Sequence, residues 1–295
     1  MPDPAGRSEP SEVFVGCPEG RLRVLVAGDA GSPVLLLSGA GVDNAMLSWR
    51  HLIPVLAQHH RVYALDWPKQ GGSRPWHGHA GIDRLLQCIT DILDHFGVDR
   101  ADLVGLSQGG ALSLAYAIAE PGRVRRVVAL APAGILSFPP VVHQLLWLTA
   151  KLSPLVSGAS TMMFRHRTMV AWLARHALFA GPVDDFDDIV DEVHAEVLAN
   201  GARASDLQND SIGFLKMKLD LRPRLHEIAC PTLFIQGDRD RSVKAERTVD
   251  AARRIAHARL EMLPGNGHWS NRQSPQLVNR LIDDFLANEP PANDL

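Results

Sequence analysis

The stretch "DLVGLSQGGALSLAYAIAEP", Asp102 to Pro121, decides the fold. An apolar run ends at Gly105-Leu106-Ser107-Gln108-Gly109, and a helix-like run closed by Pro121 begins at once. A strand that turns straight into a helix through Gly-x-Ser-x-Gly is the context expected of a nucleophile elbow. The motif by itself is weak, since roughly one chain in ten of this length carries it by chance. Sterics make the context informative. A serine held in so tight a turn leaves no room for side chains at Gly105 and Gly109. Ser107 then projects above the sheet at a helix N-terminus, where developing negative charge is favoured. The alternative is a glycine-rich strand–helix turn with no chemistry.

Working outward, strand and helix patterns alternate. "EVFV" and "RLRVLVAG" read as strands, and "PVLLLSG" as a strand buried on both faces. "SWRHLIPVLAQ" reads as one helix flawed by Pro54, "RVYALDW" as a strand, and "IDRLLQCITDILDHFG" as a helix stopped by Gly97. "VRRVVALAPAG" reads as the next strand. From Gly134 to Leu225 the periodicity is helical, and then "PTLFIQG", "AERTVDAARRIAH", "ARLEMLPG" and "SPQLVNRLIDDFLA" resume the alternation. The fold class is therefore α/β, a mostly parallel sheet flanked by helices. Residues 12–133 and 226–288 form the core, 134–225 a helical insertion over the carboxyl edge of the strands, where ligands bind in such sheets. Residues 1–11 read as a disordered leader and 289–295 as a frayed tail.

Composition excludes several classes. With 295 residues and a net charge of −3, the chain offers no basic run for nucleic acid or an anionic membrane. No apolar run reaches the ~18–20 residues of a membrane span. Cys17, Cys88 and Cys230 are scattered and odd in number, which argues against a disulfide framework and for a reducing, cytoplasmic setting. "HGH" at His77 and His79 lacks further ligands at metal spacing, so no metal is expected. Asp184 to Asp188 read as acidic residues complementing a helix start after Pro182. A monomer or homodimer acting on a small molecule is expected.

A serine hydroxyl needs a base, and the base an orienting carboxylate. "PTLFIQGDRD" ends a strand with Asp238 and Asp240, and "LEMLPGNGHW" ends the next with His268. The chain order serine, acid, histidine is the one expected for this elbow. Oxyanion donors are expected at the backbone N–H of Gln108 and, in the "SGAG" loop after the third strand, of Ala40.

With these residues in place the chain resembles the α/β-hydrolase superfamily, in its Ser-Asp-His branch with a helical cap, over residues 12 to 287. The family's "HG" appears as Ser38-Gly39, and its "D-x-P-G-x-G-x-S" as Asp66 to Ser73 with the first Gly replaced by Lys69. The family's acid stands three residues after a strand-ending glycine, which selects Asp240 over Asp238. The resemblance implies hydrolysis through an acyl-enzyme without cofactor or metal. It implies a cap lining an apolar pocket, with Gly39, Trp147, Trp172 and Trp269 as substrate contacts.

The leading expectation is a carboxylic-ester hydrolase for a small-to-medium apolar ester or lactone. The nearest rival is a carbon–carbon bond hydrolase acting on a dienoate ring-cleavage product. Such relatives carry Met after the nucleophile and an "HGxGPG" loop, where this chain has Gln108 and "SGAGVD". Arg165, Arg167 or Arg175 reaching into the pocket favours that rival. Arg165, His166 and Arg167 otherwise read as a solvated helix face. A non-catalytic ligand-binding protein or a biosynthetic cyclase on the same fold is the reading from another class.

Overall fold

The computed structural model describes residues 9–287. Most of the segment read as a leader, and the whole tail, lie outside these. Ser11, assigned to the leader, already opens the first strand.

One eight-stranded sheet runs β1 (Ser11–Cys17), β2 (Gly20–Ala27), β4 (His60–Leu65), β3 (Ser32–Leu37), β5 (Ala101–Leu106), β6 (Val124–Leu130), β7 (Thr232–Gly237), β8 (Ala258–Leu263). β1 and β2 pair antiparallel, as do β2 and β4, while every later pairing is parallel. Alternation divides the apolar strand residues between two cores. Leu35, Leu37 and Leu103 pack with Leu85, Ile89 and Leu112 on one face, and Val34, Leu36 and Val104 with Trp49, Ile53 and Ile282 on the other. Central strands are mostly apolar because both their faces are covered, with Asp102, Arg126 and Gln236 as buried polar exceptions.

The first face carries α3 (Ile82–His95), α4 (Gln108–Ala119) and α10 (Ala245–Ala252), and the second α1 (Ala45–Trp49), α2 (Ile53–Leu56) and α12 (Pro275–Ala287), which the short α11 (Ser270–Gln273) precedes. The single helix expected around Pro54 is two short ones, with Pro54 in the first turn of α2. Proline has no N–H to donate, and its ring clashes with the carbonyl four residues earlier, so the helix must restart there.

Between β6 and β7 lie α5 (Pro140–Lys151), α6 (Ser153–Phe164), α7 (Arg167–Leu173), α8 (Phe186–Asn200) and α9 (Asp206–Asp210). Asp187 and Asp188 stand in the first turn of α8, as the acidic run implied, while Asp185 just before it pairs with Arg272 instead of capping the helix. β3 lies between β4 and β5, so the direction of strand progression reverses there. A crevice opens at such a reversal, beyond the carboxyl ends of the strands. No helix among the described residues is long and apolar enough to cross a membrane.

Candidate active site

Ser107 stands between β5 and α4 with φ 52° and ψ −108°. Three backbone hydrogen bonds hold that conformation. Its N–H donates to Leu130 O at 2.8 Å, and its carbonyl accepts from Ala111 and Ala133, each at 2.9 Å. The flanking glycines are obligatory. A Cβ on Gly105 would overlap the backbone of Gly109, and one on Gly109 would overlap the carbonyl of Leu37. The close packing of β3, β5 and α4 is therefore what thrusts Ser107 out of the turn.

Asp240 and His268 come from the loops after β7 and β8. His268 Nδ1–H donates to Asp240 Oδ2 at 2.8 Å. Asp240 Oδ1 accepts from the amides of Ser242 at 2.7 Å and Val243 at 2.9 Å. Burial pushes the Asp240 carboxyl up. The hydrogen bond and charge of His268, with those two amides, outweigh burial and hold it below the ordinary carboxylate value. Asp238, the other carboxylate of this loop, is exposed and accepts instead from Gly265 N at 2.7 Å.

With Nδ1 committed to the carboxylate, Nε2 is the nitrogen His268 has left for other partners. His268 and Ser107 line one cavity of about 550 Å³ without a hydrogen bond between them. Such contacts tighten when substrate is bound. Gly39, Ala40, Gln108 and Trp269 line the same cavity. Gln108 opens α4, so its N–H has no carbonyl one turn earlier to bond.

The helices between β6 and β7 supply an apolar wall that includes Leu146, Phe164, Val170 and Leu173. Two expected contacts are not part of it. Trp147 packs edge-on against Phe214 at 4.9 Å, and Trp172 is 55% exposed and stacks on His176. Each residue on a helix turns about 100° from the last, so Leu146 and Leu173 face the cavity and their tryptophan neighbours do not. Nor do the three arginines named from the sequence reach it. Arg167 pairs with Asp187 and Asp191, Arg175 lies over the Phe186 ring, and Arg165 is exposed.

The cationic side chain lining the cavity is Arg203, which makes no ion pair among the described residues. Sequence reading missed it, because "NGARAS" carries no periodicity or motif. It also missed Asp43 and Gln70, whose hydrogen bonds run to backbone atoms of the "SGAG" loop. No group of histidine, cysteine and acidic side chains among the described residues is arranged to hold a metal ion.

Residues 32–275 match a family model described as the alpha/beta hydrolase fold. The chain is 31% identical to 2-hydroxy-6-oxo-2,4-heptadienoate hydrolase of Pseudomonas putida strain F1, over 88% of this chain and 91% of that protein. It is 29% identical to 2-hydroxy-6-oxo-6-phenylhexa-2,4-dienoate hydrolase of Burkholderia cepacia, over 88% of each. Among solved structures, the enol-lactonase from Burkholderia xenovorans LB400 superposes with a TM-score of 0.73 at 22% identity, covering 94% of this chain and all of that one. The sequence put ester hydrolysis first, whereas these two curated relatives bear the names of dienoate hydrolases.

Proposed function

The chain belongs to the α/β-hydrolase fold family and is a hydrolase, and from that premise we propose that it cleaves a carbon–carbon bond in a 2-hydroxy-6-oxo-dienoate. The observation that carries the choice of bond is the near end-to-end likeness to hydrolases named for such dienoates. Arg203 supports it. A dienoate carries a carboxylate, and Arg203, an exposed residue at the cavity, has no acidic partner among the described residues. The apolar wall suits the group attached to the 6-oxo carbon. The helices α5–α9 are the lid that supplies that wall.

Ser107 is the nucleophile, His268 the base and Asp240 the acid that fixes the imidazole. The substrate first ketonises. Its 2-hydroxyl proton is lost and C5 gains one, which makes C5 a leaving group stabilised by the 2-oxo group. His268 Nε2 takes the hydroxyl proton of Ser107 as Oγ adds to C6. Charge then builds on the C6 oxygen, where the amides of Ala40 and Gln108 receive it. The C5–C6 bond breaks, and its electron pair becomes a dienolate that takes the proton from His268. An acyl group is left on Ser107. Water, deprotonated by His268, releases it as a carboxylic acid, and the proton returns to Ser107. One water is consumed and two acids are formed.

The test is turnover of a synthetic 2-hydroxy-6-oxo-dienoate, followed by loss of its dienolate absorbance, beside a p-nitrophenyl ester. The expected kcat/KM for the dienoate exceeds that for the ester by about 100-fold or more. Hydrolysis of the ester with the dienoate untouched overturns the choice of bond and restores the ester reading.

A further inference from the structure

We infer that Asp43 is a positioning residue for the oxyanion loop, whose carboxylate holds the Gly39 amide so that the next amide, that of Ala40, stays free for the substrate oxygen. The inference rests on the hydrolase reading of Ser107 and adds a residue to it.

In the loop between β3 and α1, four backbone groups bond to side chains. Trp67 Nε1 donates to Ser38 O at 3.0 Å. Gln70 Nε2 donates to Gly39 O at 3.3 Å and Gly41 O at 3.1 Å. The Gly39 amide donates to Asp43 Oδ2 at 2.6 Å. Three carbonyls and one amide are thus tied to side chains outside the cavity. The Ala40 N–H, by contrast, has no acceptor among the described residues, and Ala40 lines the cavity beside Ser107. The Ala40 N–H shares a planar trans peptide with Gly39 O, so the Gln70 bond to that oxygen directs the N–H the opposite way. The Asp43 bond fixes the preceding peptide through the Gly39 amide, and with both held Gly39 has no freedom to turn the Ala40 N–H away from the cavity.

Asp43 is built for this. It is 2% exposed, and its two oxygens accept three donors: Ser48 Oγ at 2.6 Å and Gly39 N at 2.6 Å on Oδ2, and Asn44 N at 2.8 Å on Oδ1. The contact is close enough that a Cβ on Gly39 would stand 2.8 Å from Oδ2. Burial pushes this carboxyl up to about 6 despite those donors and the nearby Arg272. Ser38, in the place of the family's histidine, contributes nothing to the clamp, since its hydroxyl is buried without a partner.

The experiment compares wild type with Asp43→Asn, which keeps an acceptor for Gly39, and with Asp43→Leu and Asp43→Ala, which do not. Substrate turnover is measured beside affinity for an alkyl boronic acid, which forms a tetrahedral adduct on Ser107, and for the product acid. In the acceptor-free variants kcat is expected to fall by about 30-fold or more, against about 10²–10³-fold for outright loss of an oxyanion donor. Boronate affinity falls in step, while KM and product affinity stay within about threefold. Asp43→Asn retains kcat within about threefold. If neither acceptor-free variant folds, Ser48→Ala, which removes the second donor to Oδ2, is expected to show the same split at smaller size. An unchanged kcat, a KM that moves with kcat, or an Asn variant as impaired as the Leu one overturns the inference. Ser107→Ala run in parallel separates the two failures. If it keeps activity the hydrolase reading falls, and if it is inactive while Asp43→Leu is normal only this inference does.

Discussion

Replacing Ser107 by glycine should stabilise the protein while abolishing its activity. Ser107 holds φ 52° and ψ −108°, a region L-residues enter only under strain. Such a conformation costs about 1–3 kcal/mol, which glycine does not incur. Glycine loses about 0.4–1 kcal/mol to the greater freedom of its unfolded chain. Ser107→Ala keeps the Cβ and so keeps the strain. The comparison of the two variants thus isolates it, since neither has a nucleophile. The glycine variant should exceed the alanine one by about 0.5–2 kcal/mol, or roughly 1–3 °C in melting temperature for a chain of 295 residues. Equilibrium urea unfolding followed by tryptophan fluorescence reads the difference, and a fluorophosphonate probe shows both variants unlabelled. A glycine variant no more stable than the alanine one would mean that the three hydrogen bonds around Ser107 hold it without strain, and the reasoning would fail.

Other outcomes follow from the same geometry. Asp240→Asn should lower kcat by about 10³–10⁴-fold, because the imidazole loses the carboxylate that fixes its tautomer; steady-state kinetics check it. The Asp240 carboxyl is held below its unfolded value, so its contribution to stability is present above about pH 4 and lost as pH falls through the folded value. Acid unfolding curves of Asp240→Asn should therefore be flatter than those of the wild type below pH 4. Asp43 has the opposite sign. Its carboxyl rises from 3.8 to about 6, so its penalty is absent below the lower value, grows through that window and is complete above it, at about 3 kcal/mol. Urea midpoints of Asp43→Asn relative to wild type should accordingly rise between pH 4.5 and pH 8, and a flat difference would refute the assignment. Arg203→Gln should raise KM for a dienoate about tenfold or more and leave KM for a neutral ester within about twofold.

The parallel sheet was legible because burial on both faces leaves its strands mostly apolar, as in "PVLLLSG". The elbow was legible because steric exclusion at Gly105 and Gly109 is written in residue identity. The pairing of Asp240 with His268 could be anticipated from chain order and the family's spacing, and the two side chains do meet. Trp147 and Trp172 failed for a different reason. Which side of a lid helix faces the cavity depends on packing against other helices, and α5 and α7 carry apolar residues on more than one side. Asp43 and Arg203 left no trace, since a bond to a backbone amide or a side chain lining a cavity has no periodicity. Which bond such a site cleaves is not written in residue types, for a chemical reason. An ester and a ketonised dienoate both present a carbonyl to the same serine, and they differ only in what leaves.

Strain in this molecule is not scattered. Among the described residues the non-glycines with positive φ are Lys69, Ser107 and Ala131, and they follow β4, β5 and β6 at the carboxyl edge of the sheet. Two of these positions reach the lid through one short helix. Lys69 Nζ pairs with Asp206 at 2.6 Å, and Gln108, next to Ser107, accepts a hydrogen bond from Ser205, the residue that caps α9. Residues forced into costly backbone conformations therefore sit where the core meets the segment that shapes the cavity. A strained rim persists only when surrounding packing over-determines it. At Ser107 the packing of β3, β5 and α4 does so. Through Ser205 and Asp206 the start of α9 is tied to Gln108 and Lys69, so a change in α9 should be felt in turnover as well as in substrate choice.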